Sequence, residues 1–231
     1  MTAKLTGPRL PPKSGQVRQL VVFLHGYGAD GKDLIELGQQ WRALLPDAAF
    51  IAPNAPDRCP GAPMGRQWFG LNRFAPDDPR GAAERWQGVG AARPAIDAFL
   101  AEELALLGLD DAKLALVGFS QGSMVAMHVG LRRAKAPAAI VSYSGLLVGP
   151  EHLDEAKARN ARGEPPPLLL VHGDQDAMIP FEAMFAAANA LAAAEIPCQW
   201  HFSIGVGHGI DGGALRHGGL FLAKAFGVPV R

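Results

Sequence analysis

One hydroxyl, one imidazole and a pair of carboxylates stand out in this 231-residue chain because of where they fall. Ser120 is central in Gly118-Phe119-Ser120-Gln121-Gly122, directly after the apolar run Leu114–Val117 and directly before a helical pattern containing Met124, Val125, Met127 and Val129. In a chain with 28 glycines the pentapeptide alone is a modest signal. Its context adds weight, because strand, tight turn and helix is what a nucleophile elbow requires; small residues two positions either side let strand and helix approach closely. Ser120 would then project from the sheet edge at a helix N-terminus, where backbone N–H groups favour negative charge. The competing reading is a Gly-rich turn with an ordinary helix-capping serine.

A serine hydroxyl is a poor nucleophile until a base takes its proton, so a histidine and an orienting carboxylate must follow. Val171-His172-Gly173-Asp174-Gln175-Asp176 leaves an apolar strand and presents two acids in a loop. Asp174 can close that turn through backbone hydrogen bonds, whereas Asp176 lies farther out, toward the histidine, and is the preferred acid. Among seven histidines, His208 in Ile204-Gly205-Val206-Gly207-His208-Gly209 has a post-strand loop able to place its ring over Ser120. His201 falls in a strand pattern, His128 and His217 in helices and His152 in an insertion; His172 ends a strand and suits buttressing of the acid loop. Backbone donors for a developing oxyanion are expected from Gln121, after the nucleophile, and from Tyr27 in the loop Leu24–Gly31. That loop lacks Gly-Lys-Ser/Thr and a complete G-x-G-x-x-G, so phosphate binding is the weaker reading. The chemistry is acyl transfer through a covalent serine intermediate, and it requires no metal and no organic cofactor.

These residues need a scaffold, and short apolar runs alternating with helical patterns supply one. Strands are predicted at Leu20–Leu24, Phe50–Ala52, Leu114–Val117, Ala139–Tyr143, Leu168–His172 and Gln199–Ile204. Helices are predicted at Asp33–Leu44, Ala95–Leu107, Gln121–Ala134, Glu182–Ala194 and Ala214–Phe226. Runs that are apolar throughout suit parallel strands covered on both faces, so the fold class is α/β with a mostly parallel central sheet flanked by helices. One domain over 1–231 is expected, with residues 1–17 a polar, Pro-rich N-terminal extension. Residues 53–81 carry six prolines and four glycines and read as one long packed connection. Residues 145–167 form a second insertion with a short helix at Glu151–Ala161.

Composition narrows the function classes. Lys+Arg and Asp+Glu are equal at 22 each, which argues against a nucleic-acid or anionic-membrane binder. Apolar residues make up 48% of the chain, enough for a sizeable core. Cys59 and Cys198 match no metal spacing and suit incidental thiols in a reduced compartment. No export signal and no apolar run near the roughly 20 residues of a membrane helix is present, so a cytoplasmic location without a membrane span is expected.

Five motifs in order, Leu24–Gly31 (LHGYGADG), Ala52–Pro56 (APNAP), Gly118–Gly122 (GFSQG), His172–Pro180 (HGDQDAMIP) and Gly207-His208, resemble the phospholipase/carboxylesterase family of α/β-hydrolases, which includes the acyl-protein thioesterases. The resemblance covers roughly residues 18–228. It implies the α/β-hydrolase fold without a large cap domain, Ser120, Asp176 and His208 as catalytic triad, and the Tyr27 and Gln121 amides as oxyanion hole. It also settles the choice between Asp174 and Asp176 in favour of the second. The expected activity is a serine carboxylesterase acting on short- to medium-chain acyl esters; an acyl-protein thioesterase or lysophospholipase, and a catalytically silent hydrolase-fold binding protein, are the alternatives. Met64, Trp68, Phe69, Leu71 and Phe74, with Leu146, Leu147, Met178 and Ile179, are candidates for an apolar substrate groove, with Trp68 its foremost wall. The same 64–74 stretch would equally suit a dimer contact.

Overall fold

Five of the six predicted strands contain no polar face because they are buried almost end to end. A computed structural model describes residues 4–71, 79–159 and 165–229. In chain order the elements are β1 (Arg9–Leu10), β2 (Gln19–Leu24), α1 (Gly31–Trp41), β3 (Ala48–Ile51), β4 (Asp57–Cys59), β5 (Ala62–Gln67), α2 (Pro79–Leu107), β6 (Leu114–Phe119), α3 (Gln121–Leu131), β7 (Ala139–Tyr143), α4 (Leu153–Arg159), β8 (Leu168–Gly173), α5 (Glu182–Ala193), β9 (Cys198–Ser203) and α6 (Gly212–Ala225). The main sheet runs β1-β3-β2-β6-β7-β8-β9, with every pairing parallel except β1 on β3. All six expected strands form within about two residues of their expected limits. β9, at the far edge, exposes Trp200 and Phe202.

Two apolar layers clamp the sheet. On one face α1 and α6 pack Leu34, Trp41, Phe221 and Leu222 against Val21, Phe23, Val117 and Val141. On the other, α2, α3 and α5 pack Ile96, Phe99, Val125 and Met184 against Leu20, Val22, Leu116 and Ile140. Helices on both faces of a mostly parallel sheet are the arrangement that buries both of its apolar surfaces.

Three features depart from the expectation. Within the stretch predicted to be an extension, Arg9 and Leu10 pair with Ile51 and Phe50, and Leu5 is buried. The Arg9 guanidinium donates to the Glu103 carboxylate on α2 at 2.7 Å, tying this edge to the helix layer. Within the expected long connection, residues 57–67 form the antiparallel hairpin β4–β5. The helix expected from Ala95 begins instead at Pro79 and continues through Pro94. Val89, Ala92, Ile96, Phe99 and Leu100 form one buried face along it, and that burial outweighs the hydrogen bond Pro94 cannot donate. The insertion helix at Glu151–Ala161 is a 3₁₀ turn at Pro150–His152 followed by α4; Asn160 and Ala161 lie outside the described residues. Among the described residues no helix is long and apolar enough to cross a membrane.

Candidate active site

The turn between β6 and α3 carries Ser120 in a backbone conformation that L-residues rarely adopt, φ 52° and ψ −116°. Its surroundings hold it there. The Ser120 N–H donates to the Tyr143 carbonyl at 2.9 Å, and its own carbonyl accepts from the Ser123 N–H at 3.0 Å. A methyl group on Gly118 would meet the Gly122 carbonyl at 2.4 Å, and one on Gly122 would meet the Leu24 carbonyl at 1.9 Å. The two glycines of the pentapeptide are therefore required by contact between backbones, and the serine bears the strain.

His208 reaches the site on a loop pinned at several points. The Asp174 carboxylate accepts from the Gly205 N–H at 2.6 Å, and the Gln175 N–H donates to the Val206 carbonyl at 2.9 Å. Any side chain on Gly173 would strike the Val206 and Gly207 carbonyls, so the acid and histidine loops interlock there. Asp174 therefore does not close its own turn, the role its spacing suggested; its carboxylate ties the acid loop to the histidine loop instead. Beyond His208, Asp211 caps α6 by accepting from the Ala214 N–H at 2.8 Å.

Asp176 lies behind His208. One carboxylate oxygen accepts from the Met178 and Ile179 N–H groups at 2.8 and 2.9 Å, and the other from His208 Nδ1 at 2.7 Å. His172 Nε2 donates to the Ile179 carbonyl at 3.0 Å and lies 3.2 Å from that second oxygen, so its ring braces the acid loop. Burial alone would raise the Asp176 pKa, but the donors from Ile179, His208 and Met178 together outweigh it and hold the carboxyl below its ordinary value. An ionised carboxylate only accepts, so His208 carries its proton on Nδ1 and leaves Nε2 with a free lone pair.

The loop bearing Tyr27 is built on His25, a buried residue that the sequence reading passed over. The ring accepts from the Ala55 N–H through Nε2 at 3.0 Å and therefore donates through Nδ1 to the Gly26 carbonyl at 2.8 Å. Burial lowers its pKa and keeps it neutral, as that tautomer requires. Trp68 Nε1 donates to the His25 carbonyl at 2.8 Å, while its backbone N–H donates to Gln121 Oε1 at 2.9 Å. Gln121 Nε2 in turn donates to the Phe69 carbonyl at 2.7 Å. The residues after β5 thereby tie the Tyr27 loop to the start of α3. Trp68 and Phe69, expected as groove walls, are buried in this buttress and do not line the cleft. The sequence signal for this buttress is the glutamine beside Ser120, whose side-chain amide can bond in both directions.

Ser120 and His208 open together into a cleft of about 1030 Å³. Tyr27, Leu71, Leu146, Met178 and Ile179 are among its walls. Of the other groove candidates, Met64 is 90% exposed on the hairpin, Leu147 is buried in the core and Phe74 lies outside the described residues. Among the described residues no three His, Cys, Asp or Glu side chains converge as metal ligands would.

A parallel sheet sandwiched by helices, with a strained serine after a central strand and an acid–histidine pair after the last two, defines an α/β-hydrolase. The chain belongs to the phospholipase/carboxylesterase family, whose sequence profile matches residues 6–225. Acyl-protein thioesterase 1 of Schizosaccharomyces pombe is 30% identical over 83% of each chain. The esterase YpfH of Escherichia coli is 25% identical over 89% of this chain and 82% of its own. The crystal structure of esterase PE8 superposes with a TM-score of 0.88 at 44% identity, covering 96% of this chain and all of that one. Membership of this family makes the protein a carboxylic ester hydrolase.

Proposed function

We propose that the protein is a serine carboxylesterase acting on short- to medium-chain acyl esters through Ser120, His208 and Asp176. The observation that carries this reading is the 2.7 Å hydrogen bond from His208 Nδ1 to Asp176, with His208 and Ser120 facing one cleft. His208 Nε2 takes the Ser120 proton as Oγ attacks the acyl carbonyl, and the imidazolium that forms is stabilised by the Asp176 carboxylate. The tetrahedral oxyanion is held by the Tyr27 and Gln121 amides, each worth roughly a hundred- to thousandfold in rate. His208 returns the proton to the leaving alcohol. It then activates a water that hydrolyses the acyl-enzyme.

Leu71 and Met178 contribute the apolar wall for the acyl chain, while Trp68 and Phe69 act as positioning residues for the oxyanion loop. Thioester hydrolysis is the second reading, favoured by the relative named acyl-protein thioesterase 1. A series of 4-nitrophenyl esters from acetyl to palmitoyl, with the matching thioesters, separates the two. Hydrolysis is expected to peak at short to medium chains and to fall by roughly ten-thousandfold or more in Ser120→Ala. Near-parental turnover by a pure Ser120→Ala preparation overturns the mechanism, and activity climbing steadily to long chains overturns the substrate reading.

A further inference from the structure

The walls of the cleft come from both core layers. Leu34, Leu37 and Ile210 pack with the layer of α1 and α6, and Leu71, Met124 and Leu146 with the layer of α2, α3 and α5. Arg85, on α2, lines the same cleft. It is half-buried, and among the described residues no hydrogen bond or ion pair holds it. Burial lowers its pKa against the opposing pull of its chain neighbour Glu84, so the guanidinium is partly stripped of water while still charged. Two acids also touch the cleft, Asp33 and Glu182, but both are solvent-exposed and therefore screened. Pro180 and Ala183, at the start of α5, also line the cleft, and a helix N-terminus adds partial positive charge to that wall.

We propose that Arg85 is a specificity residue that selects esters bearing a carboxylate at the end remote from the scissile bond, such as half-esters of dicarboxylic acids. The proposal rests on the serine-hydrolase reading of the same cleft. A planar guanidinium presents a fork matched to a carboxylate, and the low-dielectric walls strengthen that pairing relative to water. A neutral ester occupying this cleft gives the guanidinium no carboxylate to pair with, whereas a half-ester supplies one. A guanidinium whose stem merely covers apolar surface would show no such discrimination.

The test is a ratio of kcat/KM values. Acyl-side discrimination is read from 4-nitrophenyl hydrogen adipate against 4-nitrophenyl hexanoate, and alcohol-side discrimination from 4-(butanoyloxy)butanoate against its methyl ester. The parent enzyme is expected to favour the anionic member of at least one pair, and Arg85→Gln to reduce that ratio by roughly ten- to a hundredfold. Arg85→Met, which keeps the packing of the stem, repeats the comparison should the glutamine variant not fold. Ratios that favour the neutral esters in the parent, or that survive both substitutions, overturn the proposal. Binding of monobenzyl adipate to Ser120→Ala, measured by calorimetry, separates the two readings because it needs no turnover. Roughly tenfold weaker binding on adding Arg85→Gln supports the anion site even if the serine mechanism has failed, and unchanged binding removes it.

Discussion

The backbone of Ser120 holds strain of a kind that costs about 1–3 kcal/mol at a non-glycine residue. Ser120→Gly should therefore raise the urea unfolding midpoint, by about 1 kcal/mol of stability or more, while abolishing turnover. Ser120→Ala keeps the strain and should gain none of this. A glycine variant no more stable than the alanine variant would show that the φ of 52° costs nothing here. Asp176→Asn should reduce kcat by roughly ten-thousandfold, because the amide reverses the donor pattern that fixes the His208 tautomer. It should also change the response to acid. The Asp176 carboxyl lies below its ordinary value of 3.8 in the fold, so its stabilisation is complete above that pH and is lost as pH falls through the lower folded value. The parent should lose stability below about pH 4, and Asp176→Asn should lose less over the same interval. Equal acid sensitivity of the two proteins, followed by circular dichroism, would mean that these hydrogen bonds contribute nothing to it.

Among the elements, Trp68 and Phe69, just after the hairpin β4–β5, tie the Tyr27 loop to the start of α3 without lining the cleft. Trp68→Phe keeps most of the apolar volume but leaves the buried His25 carbonyl without its donor. The expected cost is about 1–3 kcal/mol of stability, together with a lower kcat and an unchanged order of preference among chain lengths. A shifted chain-length profile would return Trp68 to the groove wall. The elbow is a second element-level constraint. Gly122→Ala places a methyl group 1.9 Å from the Leu24 carbonyl, so α3 and β2 cannot keep their approach. That variant should unfold at a clearly lower temperature than the parent, and equal melting temperatures would show that α3 can shift away from β2. Much of this element structure was legible. The six strands and the elbow follow from local apolar runs and a strand–turn–helix pattern, which need no knowledge of distant residues. The first half of α2 was not legible, since Pro94 reads as a helix start and the pull across it comes from the core layer it joins.

For the molecule as a whole, the N-terminal segment completes the sheet. Deleting residues 1–11 removes the β1 pairing, the buried Leu5 and the Arg9–Glu103 ion pair, and should cost about 2 kcal/mol or more. An unchanged urea midpoint would return the segment to a mere appendage. Its polar, Pro-rich composition hid this, because a two-residue edge strand has no periodicity to detect. The order Ser120, Asp176, His208 along the chain, the α/β rhythm and the family are properties of local pattern, and each could be read from neighbouring residues. Which buried side chain faces the cleft and which holds the backbone behind it depends on segments far apart in sequence. Trp68 meets His25 and Gln121 across separations of 43 and 53 residues, and Arg85 joins Ser120 in one cleft only through the packing of α2. Hydrophobicity assigns such residues to the interior. Their roles come from the hydrogen bonds and the low-dielectric walls that assembly of the two core layers creates.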